Sequence, residues 1–310
     1  MRGPTATTRD ETRVLIPCGE HQLSAVSTRP TTAPNGVAVV FLHGGAANSI
    51  GRSRLYVHLA RQLAGMGYHS LRVDLLGVGE STGPEPSWRL AELATHEPLA
   101  VVDWLRGQGL SKYVLAGSCW GARSALASAP AFDGLQGMVL FEPPVRDIEK
   151  GQVTASLPGS QFVRRAFTKR VLAGLRDPDR RKRYQRHVVV KARRLLHRSR
   201  RPDQARADRG FEARSFIGPL TVLVERGVPT LLFYGEQDRA YEEFTNPAAE
   251  RLTELLERAG DLVEIILTPG KFHGLGQAEV QRITTEGLEA WLPGRGGVGS
   301  PTAESARQSS

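Results

Sequence analysis

The feature that most constrains how this 310-residue chain can fold is a turn at 117–121. The run Val114-Leu-Ala-Gly117-Ser118-Cys119-Trp120-Gly121-Ala122 joins an apolar strand to a helix through a sharp reversal. Such a turn has no room for side chains two residues before and two residues after its apex, because they would strike neighbouring backbone. Centred on Cys119, those positions are Gly117 and Gly121. Centred on Ser118, they are Ala116 and Trp120, and an indole does not fit there. The register therefore puts Cys119 at the apex with Ser118 beside it. A strand that passes straight into a helix in this way needs a sheet covered by helices.

The rest of the chain supplies that sheet. Eight strands are expected, at 13–16, 22–27, Val37–Leu42, 69–76, 112–117, 138–141, 229–234 and 263–267. The run Val37-Ala-Val-Val-Phe-Leu42 is apolar throughout, as in a strand buried on both faces. Between the strands, helical spacing appears at Leu55, Leu59 and Leu63, from Thr95 to about Leu105, over 122–128, at Leu252, Leu255, Leu256 and Ala259, and over 280–292. Thr95 is the expected cap of its helix, with Pro98 in the first turn, where a missing N–H costs little. Alternation of this kind argues for a mostly parallel sheet with helices on both faces. It breaks between Arg146 and Arg214, where arginine crowds short helical stretches. That interval reads as a basic helical lid, 145–216, inserted into a core of 12–144 and 217–292, with flexible termini at 1–11 and 293–310.

Further motifs stand at strand ends in a consistent order: Phe41-Leu-His43-Gly44-Gly45-Ala46, Asp74-Leu-Leu-Gly77-Val-Gly79-Glu-Ser81, Gly235-Glu-Gln-Asp238 and Pro269-Gly-Lys-Phe-His273-Gly274. Together with the turn at Cys119, a nucleophile elbow G-x-S-x-G with sulfur in place of oxygen, they resemble the α/β-hydrolase superfamily over roughly 12–292. The resemblance implies an eight-stranded α/β-hydrolase fold and a Cys119–His273–Asp238 triad. Glu142, after the preceding strand, is the competing acid. The implied oxyanion donors are the N–H groups of Trp120 and Gly45, with Ala46 as the alternative. His43 is expected to order the oxyanion loop, and Asp74 to hold its own turn.

The chemistry follows from these residue types. A thiol of ordinary pKa, about 8.5, needs a base to become a nucleophile. His273 can supply that base, with a carboxylate fixing its tautomer. Passing an acyl group from a thioester to a cysteine is near thermoneutral, so CoA-bound or carrier-protein-bound acyl groups are suitable donors. Superfamily members with a G-x-C-x-G elbow include amino-acid N-acyltransferases, polyester synthases and dienelactone hydrolases. The resemblance thus implies an acyltransferase or thioesterase acting through an acyl-cysteine. A small-ester or lactone hydrolase and an inactive binding scaffold are the other readings.

Charge and composition narrow the partners. Residues 146–214 hold 21 of the 41 Lys and Arg but only 7 of the 32 Asp and Glu. The whole basic excess sits there and should attract something acidic. Arg180, Arg181, Lys182 and Arg183 are the candidate docking residues for an acyl carrier protein or the phosphates of CoA. Aromatics are sparse in that interval, which argues against stacking on nucleic acid. Gly77 and Gly79 do not open a helix as a dinucleotide fingerprint does, and no metal or cofactor is expected. No apolar run approaches a bilayer span. With only two cysteines, Cys18 and Cys119, a reducing, cytoplasmic setting is expected.

Overall fold

A computed structural model describes residues 11–45, 47–146, 213–246 and 249–293. Its strands form one sheet in the order β1-β2-β4-β3-β5-β6-β7-β8. β1 (Glu11–Cys18) and β2 (His21–Thr28) make an antiparallel hairpin, and β2 runs antiparallel to β4 (His69–Val73). From there the sheet is parallel through β3 (Val37–Leu42), β5 (Lys112–Ser118), β6 (Leu135–Phe141), β7 (Thr230–Gly235) and β8 (Val263–Thr268). β3 lies between β4 and β5, and all its residues are buried, which is why its sequence is uniformly apolar.

The helices are α1 (Leu55–Gly65), α2 (His96–Gly107), α3 (Trp120–Ser128), α4 (Arg214–Glu225), α5 (Arg239–Phe244), α6 (Glu250–Ala259) and α7 (Gln277–Trp291). α1 packs on α7 over one face of the sheet, while α2, α3, α4 and α6 contact one another in a row. α1 buries Leu55, Leu59 and Leu63, and α7 buries Val280, Thr284, Leu288 and Trp291, each at helical spacing. α7 seats closely because two partners lack side chains. A Cβ on Gly137 would lie 2.7 Å from the Trp291 ring, and one on Gly287 would lie 2.6 Å from Ile266. The core beneath is an aromatic row in which Phe41 meets Tyr56 and Phe141 meets Phe233, each at 5.0 Å between ring centres. These rings lie directly under the strand ends that carry the motifs.

Several expectations shift. β4 stops at Val73 rather than running to 76, because Asp74 opens a turn with Gly77 and Gly79 at positive φ. α2 begins after Thr95, but the Thr95 side chain makes no capping bond. α4 starts at Arg214, inside the interval read as lid, and α5 was not anticipated at all. Pro219 and Gly218 mask α4 in the sequence, yet Phe216, Leu220 and Leu223 are buried at helical spacing. The N–H of Ala213 donates to the Val145 carbonyl at 3.2 Å, so the chain leaves and rejoins the core at one point. The bulk of the expected lid, including Arg180, Arg181, Lys182 and Arg183, lies outside the described residues, as do the tails before 11 and after 293. Among the described residues, no helix is long and apolar enough to cross a membrane.

Candidate active site

The site begins with the turn. Cys119 sits between β5 and α3 at φ 50, ψ −114, a conformation that side-chain-bearing residues rarely adopt. Its N–H donates to the Phe141 carbonyl at 2.8 Å, and its carbonyl accepts from the Arg123 N–H at 3.1 Å. A Cβ on Gly117 would stand 2.7 Å from the Gly121 backbone, and one on Gly121 would stand 2.2 Å from the His43 carbonyl oxygen. Both glycines are therefore obligatory, and they bracket Cys119, not Ser118. Gly121→Ala must displace the backbone of the His43 loop. The expected loss is ~1–3 kcal/mol of stability, the usual penalty for overpacking. Turnover is expected to fall about 100-fold through misplacement of the loop. Thermal unfolding and initial rates read these two effects separately.

The loop after β3 lies against this turn. A Cβ on Gly44 would meet the Ser118 carbonyl at 2.8 Å. His43 is fully buried; its Nδ1–H donates to the Gly44 carbonyl at 2.9 Å and its Nε2 accepts the Leu75 N–H at 3.1 Å. Burial holds its pKa below the usual imidazole value, so the ring is neutral and serves as a brace. The Tyr56 hydroxyl donates to the Leu42 carbonyl at 3.0 Å, fixing the start of the same loop. Asp74 Oδ1 accepts the Ser49 N–H at 2.6 Å, and its carbonyl accepts the Ser81 hydroxyl at 2.6 Å. Asp74 thus ties its own turn to the end of the loop. Trp120 is the first residue of α3, where the N–H has no intrahelical acceptor. The side chain of Trp88 covers Gly45, and its ring meets Trp120 edge-on at 5.1 Å between centres. Ala46 lies outside the described residues.

His273 occupies a helical turn after β8, at Phe272–Gly274. Its Nδ1 is in contact with Oε2 of Glu142, at the end of β6. The sequence expectation was Asp238, and the structure gives that carboxylate different partners. Asp238 Oδ2 accepts the N–H groups of Gly235 at 2.7 Å and Phe272 at 3.1 Å. It anchors the loop that carries His273 rather than touching the ring. Glu142 reaches the ring because its backbone is held at φ 47. Its N–H donates to the Phe233 carbonyl at 2.8 Å, and the next two carbonyls are also secured. Pro143 accepts from the Tyr234 hydroxyl at 2.9 Å, and Pro144 accepts from Arg123 at 2.7 Å. Arg123 is fully buried, also bonds the Ser215 hydroxyl, and lies over the Phe216 ring.

Burial first, then the charge of Arg52, pushes the His273 pKa down, to about 4. The Glu142 carboxylate on Nδ1 acts the other way, because an adjacent anion favours the imidazolium. Arg52 and Trp88 are site residues the sequence reading missed. Both stand in segments without periodicity, where only tertiary contacts place a side chain. Tyr56 carried a signal, since it falls on the buried face of α1 next to Leu55.

Comparison with known proteins agrees with this fold. The sequence profile of the Alpha/beta hydrolase family matches residues 39–271. Similar solved structures include an esterase from Pyrococcus furiosus, at 17% identity and TM-score 0.55, covering 94% of this chain and 96% of that one. Another is Est1E from Butyrivibrio proteoclasticus with bound ferulic acid, at 16% identity and TM-score 0.55, covering 91% and 98%. A third is the haloalkane dehalogenase DatA from Agrobacterium tumefaciens, at 22% identity and TM-score 0.52, covering 91% and 96%. At these identities the likeness concerns the fold. No curated protein matches the chain. With the profile spanning well over half the residues, and the sheet order, turn and strand-end motifs in place, the chain belongs to the alpha/beta hydrolase family.

Proposed function

We propose that this protein cleaves an activated acyl group through an acyl-Cys119 intermediate, with a CoA-bound or carrier-bound thioester as the preferred donor. The observation that carries the reading is the placement of Cys119 at the apex of a glycine-bracketed turn at positive φ. With Nδ1 engaged by Glu142, Nε2 is the nitrogen that takes the thiol proton. The sulfur then bonds to the acyl carbon. The carbonyl oxygen gathers charge between the N–H of Trp120 at the start of α3 and the N–H of Gly45, each such donor worth ~3 kcal/mol in the transition state. Collapse breaks the bond to the leaving thiolate, which recovers the proton from His273. Water, an amine or an alcohol then attacks the acyl-cysteine, giving its proton to His273, and Cys119 leaves. The carboxylate of Glu142 fixes the tautomer and stabilises the transient imidazolium. Asp238 keeps the His273 loop in place. The basic residues Arg180, Arg181, Lys182 and Arg183 are the proposed docking surface for the donor's phosphates or an acidic carrier. The protein is proposed to work in the cytoplasm.

A second reading, hydrolysis of small oxygen esters or lactones by the same groups, is favoured by the likeness to the Pyrococcus furiosus esterase. Intact-protein mass after mixing with acyl thioesters and matched oxygen esters separates the two. An adduct from thioesters, absent in Cys119→Ala, is the expected result. An adduct or turnover from oxygen esters alone selects the second reading. A Cys119 inert to both and to alkylation removes the covalent mechanism.

A further inference from the structure

Beside His273 lies a small cavity of about 40 Å³, lined by Ser118, Tyr56, Phe141, Phe272, His273 and Arg52. Among the described residues that line it, Arg52 is the one cation, and it is exposed at the surface. Among the described residues, no carboxylate lies within ion-pair distance of it. The backbone that presents it is unusual. Gly51, Ser53 and Arg54 all have positive φ, at 71, 54 and 56. Two of these are not glycine, and such conformations persist only where the surroundings over-determine them. Here they do. The Gly51 N–H donates to the Asn48 carbonyl at 2.9 Å, the Arg54 N–H to the Gly51 carbonyl at 3.2 Å, and Gln281 to the Ser53 carbonyl at 2.8 Å. A side chain on Gly51 would also strike the Tyr56 ring at 2.9 Å. A fold that needed only a connection between β3 and α1 would not hold on a strained turn beside the proposed base a guanidinium that has no carboxylate partner among the described residues.

We infer that Arg52 binds a carboxylate on a small thiol or alcohol that departs from the acyl carbon; the pantetheine arm of a CoA-bound or carrier-bound donor has no carboxylate near its sulfur and does not use this site. The side follows from proton bookkeeping: the departing group takes its proton from His273, so it must lie next to the ring that Arg52 flanks. A guanidinium fork suits a carboxylate in this position, and because Arg52 and the His273 ring both reach solvent its pull is partly screened. The inference rests on the acyl-cysteine reading for the identity of the departing group, but the anion site itself does not.

The test compares wild type with Arg52→Gln and Arg52→Lys at pH 8, where His273 is neutral in all three. Donors are butyryl thioesters of 3-mercaptopropionate and of its neutral amide, with a glutaryl thioester of N-acetylcysteamine placing the anion on the acyl side. The ratio of kcat/KM for the anionic over the neutral leaving thiol is expected to fall about three- to tenfold in Arg52→Gln, the scale for one partly screened charge. It should recover in part in Arg52→Lys. If the glutaryl donor alone responds, the carboxylate belongs on the acyl side and the assignment is overturned. A second readout needs no turnover. Alkylation of Cys119 by iodoacetate relative to iodoacetamide should slow by a similar factor in Arg52→Gln, and an unchanged ratio overturns the anion site. A shifted ratio with no acyl adduct from any donor keeps the anion site and removes the acyl-cysteine reading. Should Cys119 react with neither reagent, propionate is titrated into Cys119→Ala while the His273 ring resonances are followed. A shift that disappears in Arg52→Gln supports the site, and no shift overturns it.

Discussion

Cys119→Ala is expected to lower turnover by ~10⁴-fold or more while leaving the melting temperature within a few degrees of wild type. The size follows from removing the atom that forms the covalent bond, the kind of loss that approaches deletion of a whole triad. The unchanged stability follows from geometry. Alanine retains the Cβ that cysteine already carries at φ 50, and the bracketing contacts of Gly117 and Gly121 are untouched. Some acceleration over water should survive through the oxyanion donors. Cys119→Ser keeps the shape but replaces an acidic thiol with an alcohol that is scarcely ionised at neutral pH, so it should retain only a slow hydrolysis. Initial rates on one thioester and one oxygen ester, with thermal unfolding alongside, check both variants. If Cys119→Ala stays within tenfold of wild type and Ser118→Ala is dead, the nucleophile is Ser118 and the register argument fails.

Some parts of the site were legible in the sequence and others were not. The turn was legible because its requirement is purely steric: two positions must lack a Cβ, and only one register supplies two glycines. The sheet was legible for a similar reason, since buried parallel strands demand apolar runs and the helices between them repeat at 3.6 residues. α4 was not, because Pro219 and Gly218 interrupt the pattern and arginine-rich sequence adjoins it. Its helical state comes from packing Phe216, Leu220 and Leu223 against the core. Which carboxylate lies against the His273 ring was not legible either. Glu142 and Asp238 follow adjacent strands and reach the same edge of the sheet, so order along the chain does not separate them. What separates them is the backbone at Glu142, held at φ 47 by the Phe233 carbonyl, and the two N–H groups that claim the Asp238 carboxylate. None of those contacts has a sequence signature. The same holds for Trp88, whose position over Gly45 depends on ring packing with Trp120 and His43.

The two acids give the sharpest remaining expectation. Glu142→Gln removes the charge against Nδ1 but keeps a polar group of the same size, so kcat should fall by up to roughly 10⁴-fold, the loss seen when the acid of a triad is neutralised. Asp238→Asn keeps an oxygen that can accept from Gly235 and Phe272, so its loss should be about tenfold or less, mainly through a looser His273 loop. The pH profile tells a charge effect from a structural one. His273 must be neutral to take the thiol proton, so activity rises as pH climbs through its pKa. Burial and Arg52 push that pKa down, toward about 4, and the Glu142 carboxylate pushes it up. Removing the carboxylate must therefore move the acid limb to lower pH, and removing the Arg52 charge must move it to higher pH. A merely structural defect at either position would lower the whole profile without sliding it. If Asp238→Asn is instead the dead variant, and it is the one whose acid limb slides, then His273 turns to Asp238 during the reaction and the Glu142 contact belongs only to the resting enzyme.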